Sequence, residues 1–172
     1  MLVAVLIRAQ VQDANSTEEV IVINGHTLPP EPDEALNNST LAGIDSNNNG
    51  VRDDVERKIY LNNDKEIARQ IQMQSAKKQQ KRLEADDLIE NAKEYQTLSY
   101  PDSGCKGYLY MELNIDVYGS ATEDYTFNTS DRVKKYMEYN LALSGGVYGT
   151  PNSYEVESSC DFNVTKALEA IE

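Results

Sequence analysis

Tryptophan is absent from this chain, histidine occurs once, at position 26, and cysteine only twice. With no second histidine, and no thiol or serine motif beside His26, the usual acid–base and nucleophile pairs have no material to form from. Gly-x-Ser-x-Gly, phosphate-loop and zinc signatures are also missing. Cys105 and Cys160 are far apart and not in Cys-x-x-Cys spacing, so a single disulfide or two free thiols are the open alternatives. Basic residues number 16 against 29 acidic ones, a formal charge of -13. That balance supplies no electrostatic footprint for a phosphate backbone or an anionic lipid surface, and nucleic acid is not an expected partner.

The N-terminal apolar run, residues 2–7, is broken by Arg8 and is too short to span a bilayer. With Ala9 and Ala14 behind it and a polar segment following, it reads as the remnant of a signal peptide. The expectation is an exported protein, periplasmic or extracellular, with no membrane span in the mature chain. Such an oxidising compartment favours a Cys105–Cys160 disulfide. The sequons at Asn15, Asn38, Asn128 and Asn163 matter only in a eukaryotic secretory route.

What is present is a 172-residue chain with 40% apolar residues, enough for one domain with a modest core. Residues 1–40 read as a signal-like remnant and an extended arm, with one edge strand at residues 20–23. Pro29, Pro30 and Pro32 deny a helix passage through the arm. His26, beside a turn, reads as a solvated loop residue. Residues 41–172 read as the α-helical domain. Val55, Ile59 and Tyr60 recur at helical spacing, and Asn62, Asn63 and Asp64 offer a stop and the next N-cap. A long second helix is expected over 65–98, with Ile67, Ile71, Leu83, Ile89, Ala92 and Tyr95 as its stripe. Its polar middle reads as a solvated face, and a break at residues 85–87 would divide it in two. Pro101, Gly104 and Gly107 predict a turn around Cys105, followed by a helix to about Asn114. Ser130 is expected to cap a helix carrying Val133, Tyr136, Met137, Asn140, Leu141 and Ser144, stopped by Gly145 and Gly146. A short helix closes the chain.

One stretch carries chemistry. In residues 45–56, DSNNNGVRDDVE, side-chain oxygens fall at Asp45, Asn47 and Asn49, and Gly50 stands where a loop must turn sharply. Val51 would offer its carbonyl, Asp53 a direct or water-borne oxygen, and Glu56 two carboxylate oxygens from the first helical turn. A hard dication needs about six to eight oxygens converging on a point, and this alternation lets a short loop wrap one. The plainer reading is an asparagine-rich turn followed by acidic residues that complement a helix N-terminus.

The stretch resembles the calcium loop of the EF-hand superfamily, dockerin-like single loops included. The flanking phrases LPPEPD, STLAGIDSNNNGVRDDVER and YNLALSGG resemble small exported bacterial proteins. The resemblance implies Ca2+ held by Asp45, Asn47, Asn49, Val51, Asp53 and Glu56. A long entering helix and a second loop are missing, and Arg52 occupies the place where paired loops carry an aliphatic residue. An isolated loop is implied, with a dissociation constant of roughly 10⁻⁵ to 10⁻³ M. The expected fold is mainly α: a small helical bundle with a single EF-hand-like calcium loop and an extended N-terminal arm. The expected function is non-enzymatic, the ion ordering the domain for a protein or cell-envelope partner. The alternative is a periplasmic hydrolase with a structural calcium ion and a carboxylate and tyrosine site at Glu112 and Asp116.

Overall fold

A computed structural model describes residues 20–117, 122–148 and 156–170. The fold is mainly α, a small helical bundle, and its spine is α3, Glu66–Glu84. α2 (Asp53–Leu61), α5 (Ser99–Met111), α6 (Thr122–Thr126), α7 (Ser130–Leu143) and α8 (Val164–Glu169) all pack on it. α1 (Glu34–Asn38) and α4 (Ala92–Thr97) complete the set.

A helix surrounded by others must bury most of its circumference, and α3 does so with few apolar residues. Gln72, Gln74, Ser75, Gln79, Gln80 and Arg82 are all buried, which corrects the solvated-face expectation. Each finds a partner. Gln80 donates to the Ala42 carbonyl at 2.8 Å, Gln79 to Glu123 at 3.1 Å and Gln74 to the Ser159 carbonyl at 3.0 Å. Ser75 donates to Asp102 at 2.5 Å, and Lys78 reaches the other Asp102 oxygen at 2.6 Å. Buried polar groups are tolerated when paired, and a polar helix can therefore sit centrally.

The helix stops at Glu84 because Ala85 turns extended, the break foreseen at residues 85–87. Ile67, Ile71, Leu83 and Ala92 are buried as expected, whereas Ile89, beyond the break, is exposed. Lys65, not Asp64, stands at the N-cap of α3, and Asn63 instead donates to the Ile59 carbonyl at the end of α2. Pro101, Gly104 and Gly107 lie inside α5, not in a turn. Proline is tolerated in the first helical turn, where the amide has no intrahelical acceptor. Gly104, Cys105 and Gly107 form the buried side of this helix. Cys105 is bonded to Cys160, with the Cα atoms 4.8 Å apart, and ties α5 to the 3-10 turn Glu157–Ser159. Thr129 caps α7 in place of Ser130, and Gly145 at φ +81° follows its C-terminus. Tyr136 of the expected α7 set packs inward, while Val133, Met137, Asn140, Leu141 and Ser144 face outward. Among the described residues no helix is long and apolar enough to cross a membrane.

The arm differs most from expectation. Val22–Ile23 (β1) and His26–Thr27 (β2) pair antiparallel, joined by Asn24 at φ 49° and Gly25 at φ 78°. Two consecutive left-handed residues make the tight turn whose twist suits a hairpin. Ile21, Ile23 and Leu28 pack against Val51, Val55, Ile59 and Tyr60, laying the hairpin over the start of α2.

Candidate metal centre

The loop at residues 45–52 is shaped by its own short side chains. The Asp45 carboxylate accepts the backbone N–H of Asn49 at 3.2 Å and of Gly50 at 2.8 Å. The Asn47 oxygen accepts the Asn49 N–H at 3.1 Å, and the Asn49 oxygen the Val51 N–H at 2.9 Å. Asn48 and Gly50 take left-handed conformations, φ 55° and 85°. Asn is among the few side chains that tolerate this region, and glycine meets no penalty there. The Asp53 N–H donates to the Ile44 carbonyl at 2.8 Å, closing the loop on the first turn of α2.

Of the sequence-predicted donors the structure brings Asn47 and Asn49 against Glu56, while Asp45 is turned to the loop's own amides and Asp53 to Ser46. Glu56 is wholly buried. The Asn49 amide nitrogen lies 2.6 Å from its Oε2, and the Asn47 amide nitrogen 3.2 Å from the same atom. Asp53, 1% exposed, accepts the Ser46 N–H on Oδ1 at 3.0 Å, while its Oδ2 has no hydrogen-bond partner. Burial raises the Asp53 pKa; the Ser46 hydrogen bond opposes this, and the negative charges of Asp45 and Glu56 add to it. Val51 inserts its side chain into the core beneath the loop.

Among the described residues no three His, Cys, Asp or Glu side chains form a metal-holding group. The convergence is a mixed one of carboxylates and carboxamides. Both amides turn nitrogen toward Glu56, and a half-turn of each would present oxygen instead. The donor set fits a hard cation on one further observation: a buried carboxylate oxygen without a partner, repelled by two neighbouring carboxylates, lacks the positive charge that would satisfy it.

His26 was not foreseen here. Its Nε2 lies 2.5 Å from Glu56 Oε1, and its ring stacks on Tyr60 with centroids 4.3 Å apart. The hairpin places it so, and the signal that would have found it is Asn24-Gly25 directly after a β-branched run. His26 is thus an engaged, part-buried residue, not a solvated one.

The base of the loop rests on two buried guanidiniums. Arg52 makes a two-pronged contact with Asp54, at 2.5 and 3.3 Å, and donates to the Tyr125 carbonyl and Asn128. Arg132 donates to the carbonyls of Asn37, Thr40 and Leu41 and to the side-chain oxygens of Asn38 and Asn128. Burial and the nearby Arg52 charge push the Arg132 pKa down to about 10, with Asp54 opposing. Gly43, at φ +67°, lies where a Cβ would come within 2.1 Å of the Arg52 Cδ. Arg52, out of place in a paired calcium loop, is accounted for by this knot. Asn38 and Asn128 serve it too, and Asn163 caps α8.

Glu112 and Asp116 are not brought together on a helical face. α5 ends at Met111, the chain turns at Asn114 (φ 55°), and both residues are exposed. Protein-family models, curated proteins and solved structures were compared with the chain, and none matches.

Proposed function

We propose that this chain is a non-enzymatic, exported calcium-binding helical protein in which the ion orders the start of α2 and fits the domain to a protein or cell-envelope partner. Side-chain oxygens of Asp45, Asn47, Asn49, Asp53 and Glu56, with the Val51 carbonyl, would hold the ion. Its chemistry there is electrostatic: two positive charges set against three carboxylates, two of them buried. The observation that carries the reading is the orphaned Asp53 Oδ2 flanked by the charges of Asp45 and Glu56. Export is supported by the Cys105–Cys160 disulfide, a bond that persists in oxidising compartments.

Calorimetric titration of chelator-stripped protein tests it. Calcium should bind one site per chain with a dissociation constant of roughly 10⁻⁵ to 10⁻³ M, and magnesium far more weakly because it demands a tighter octahedron. Asp45→Ala and Glu56→Ala should remove the calcium heat. Equal heats with both ions, or none with calcium, would refute the reading.

A further inference from the structure

Helix α7 has two apolar sides, and the bundle uses one. Tyr136, Tyr139 and Leu143 turn inward with Arg132. Val133, Met137 and Leu141, spaced by four and so stacked as one ridge, are 39%, 64% and 75% exposed. With Phe127 and Ser144 they line an open cleft of about 1080 Å³. A continuous apolar ridge beside a groove is an interaction surface more often than scattered exposed residues are.

The charges select the occupant. The chain carries -13, so two copies repel each other over most of their surfaces. The outer side of residues 130–143 is balanced instead, with Asp131 and Glu138 beside Lys134 and the half-buried Lys135, Arg132 being buried. Lys134 and Glu138 flank the ridge on one side, their side chains 74% and 52% exposed, and approach each other only to 4.0 Å. Set two such helices face to face and antiparallel about a two-fold axis near Met137. The charged flank of one then runs along the same flank of the other in reverse order. Lys134 meets the second copy's Glu138, Glu138 meets its Lys134, and Val133 covers its Leu141. A parallel pairing would set the charged flank against the Asn140 side and leave these charges without opposites.

We infer that the exposed face of α7 is a self-association surface, on which a second copy of this chain docks antiparallel through Val133, Met137 and Leu141 and is held in register by reciprocal Lys134–Glu138 pairs. A single helix face is smaller than a standard interface of about 1,200–2,000 Å², so the dimer is weak, with a dissociation constant on the order of 10–100 µM.

Sedimentation equilibrium of the full-length chain, at concentrations bracketing that value, tests this. The wild-type protein should dimerise with concentration and Met137→Asp should stay monomeric. Lys134→Glu and Glu138→Lys should each weaken the dimer roughly tenfold, because each sets like charges opposite one another twice. An equimolar mixture of these two variants should recover association of wild-type strength, since every charge in the mixed pair again meets its opposite. A wild-type chain that stays monomeric throughout would overturn the inference and leave the ridge to a different protein or a lipid surface. A mixture that associates no better than its components would overturn it equally.

Discussion

Replacing Asp53 with asparagine should shift stability in opposite directions with and without calcium. Asp53 is 1% exposed, its Oδ2 has no hydrogen-bond partner, and Asp45 and Glu56 repel it. An asparagine keeps the oxygen that accepts the Ser46 N–H and offers its neighbours an amide donor in place of a third negative charge. Leaving a buried polar group unsatisfied costs about 1–3 kcal/mol, so Asp53→Asn, at the low end, should stabilise the calcium-free chain by about 1 kcal/mol. For a chain of this size that is a rise in Tm of roughly 2–4 °C. With calcium at about 100 times its dissociation constant, the wild-type protein gains about 2.7 kcal/mol, roughly 5–10 °C. The variant, short of one charged ligand, should keep less than about a third of that gain, so the order of the two Tm values inverts. Differential scanning calorimetry with chelator and with calcium reads all four values. The pH dependence carries the same signature. A carboxyl with a raised folded pKa holds its proton more firmly in the native state, so metal-free stability falls as pH rises from the ordinary 3.8 through the raised value. Asp53→Asn should lose that component. A variant less stable than wild type in chelator, or one that gains as much from calcium, would refute the argument.

Three further outcomes follow from the packing. Gly43→Ala forces a side chain into a left-handed position within 2.1 Å of Arg52, and should cost about 3 kcal/mol or more in urea unfolding, with the calcium heat weakened because the loop base is displaced. Replacing Cys105 and Cys160 together by serine opens a loop of 55 residues, for which chain entropy predicts a loss of about 4 kcal/mol, and reduction of the wild-type protein should do the same. Burial alone would raise the Asp102 pKa, but Lys78 and Lys106 outweigh it and hold the carboxyl below its ordinary 3.8. Its contribution is therefore present above that value and lost as pH falls through the folded one. Lys78→Met should cost about 3 kcal/mol at neutral pH and much less near pH 3, read from denaturation midpoints at the two pH values.

The turn at residues 45–53 was legible because it is local: Asp45, Asn47 and Asn49 accept amides two to five positions ahead, so spacing alone places them. α2 was legible for the same reason, since Val55, Ile59 and Tyr60 repeat at helical period and all three are buried. The disulfide was legible only by way of the compartment, because 55 residues separate Cys105 from Cys160. α3 misled because hydropathy prices a glutamine as if it faced water, whereas Gln74, Gln79 and Gln80 are satisfied by partners between 38 and 85 positions away. Periodicity cannot see such partners. The turn at Pro101 was misplaced because proline and glycine punctuate a chain only on average, and the first helical turn accepts proline. His26 has no chemical partner near it along the chain, which is all that a linear reading sees. Its partner Glu56 lies 30 residues on, brought within reach by the hairpin that turns at Asn24-Gly25.

The two interlocked arginines make the apparent autonomy of the twelve-residue loop deceptive. Arg132 grips the carbonyls at 37, 40 and 41 from more than ninety positions downstream, and Arg52 leans on a strip of backbone at 125 and 126. A synthetic peptide spanning 45–56 would carry every side chain of the loop yet lack the floor on which it rests. During synthesis, too, the loop emerges long before its foundation, so its final shape waits until the seventh helix has left the ribosome and docked.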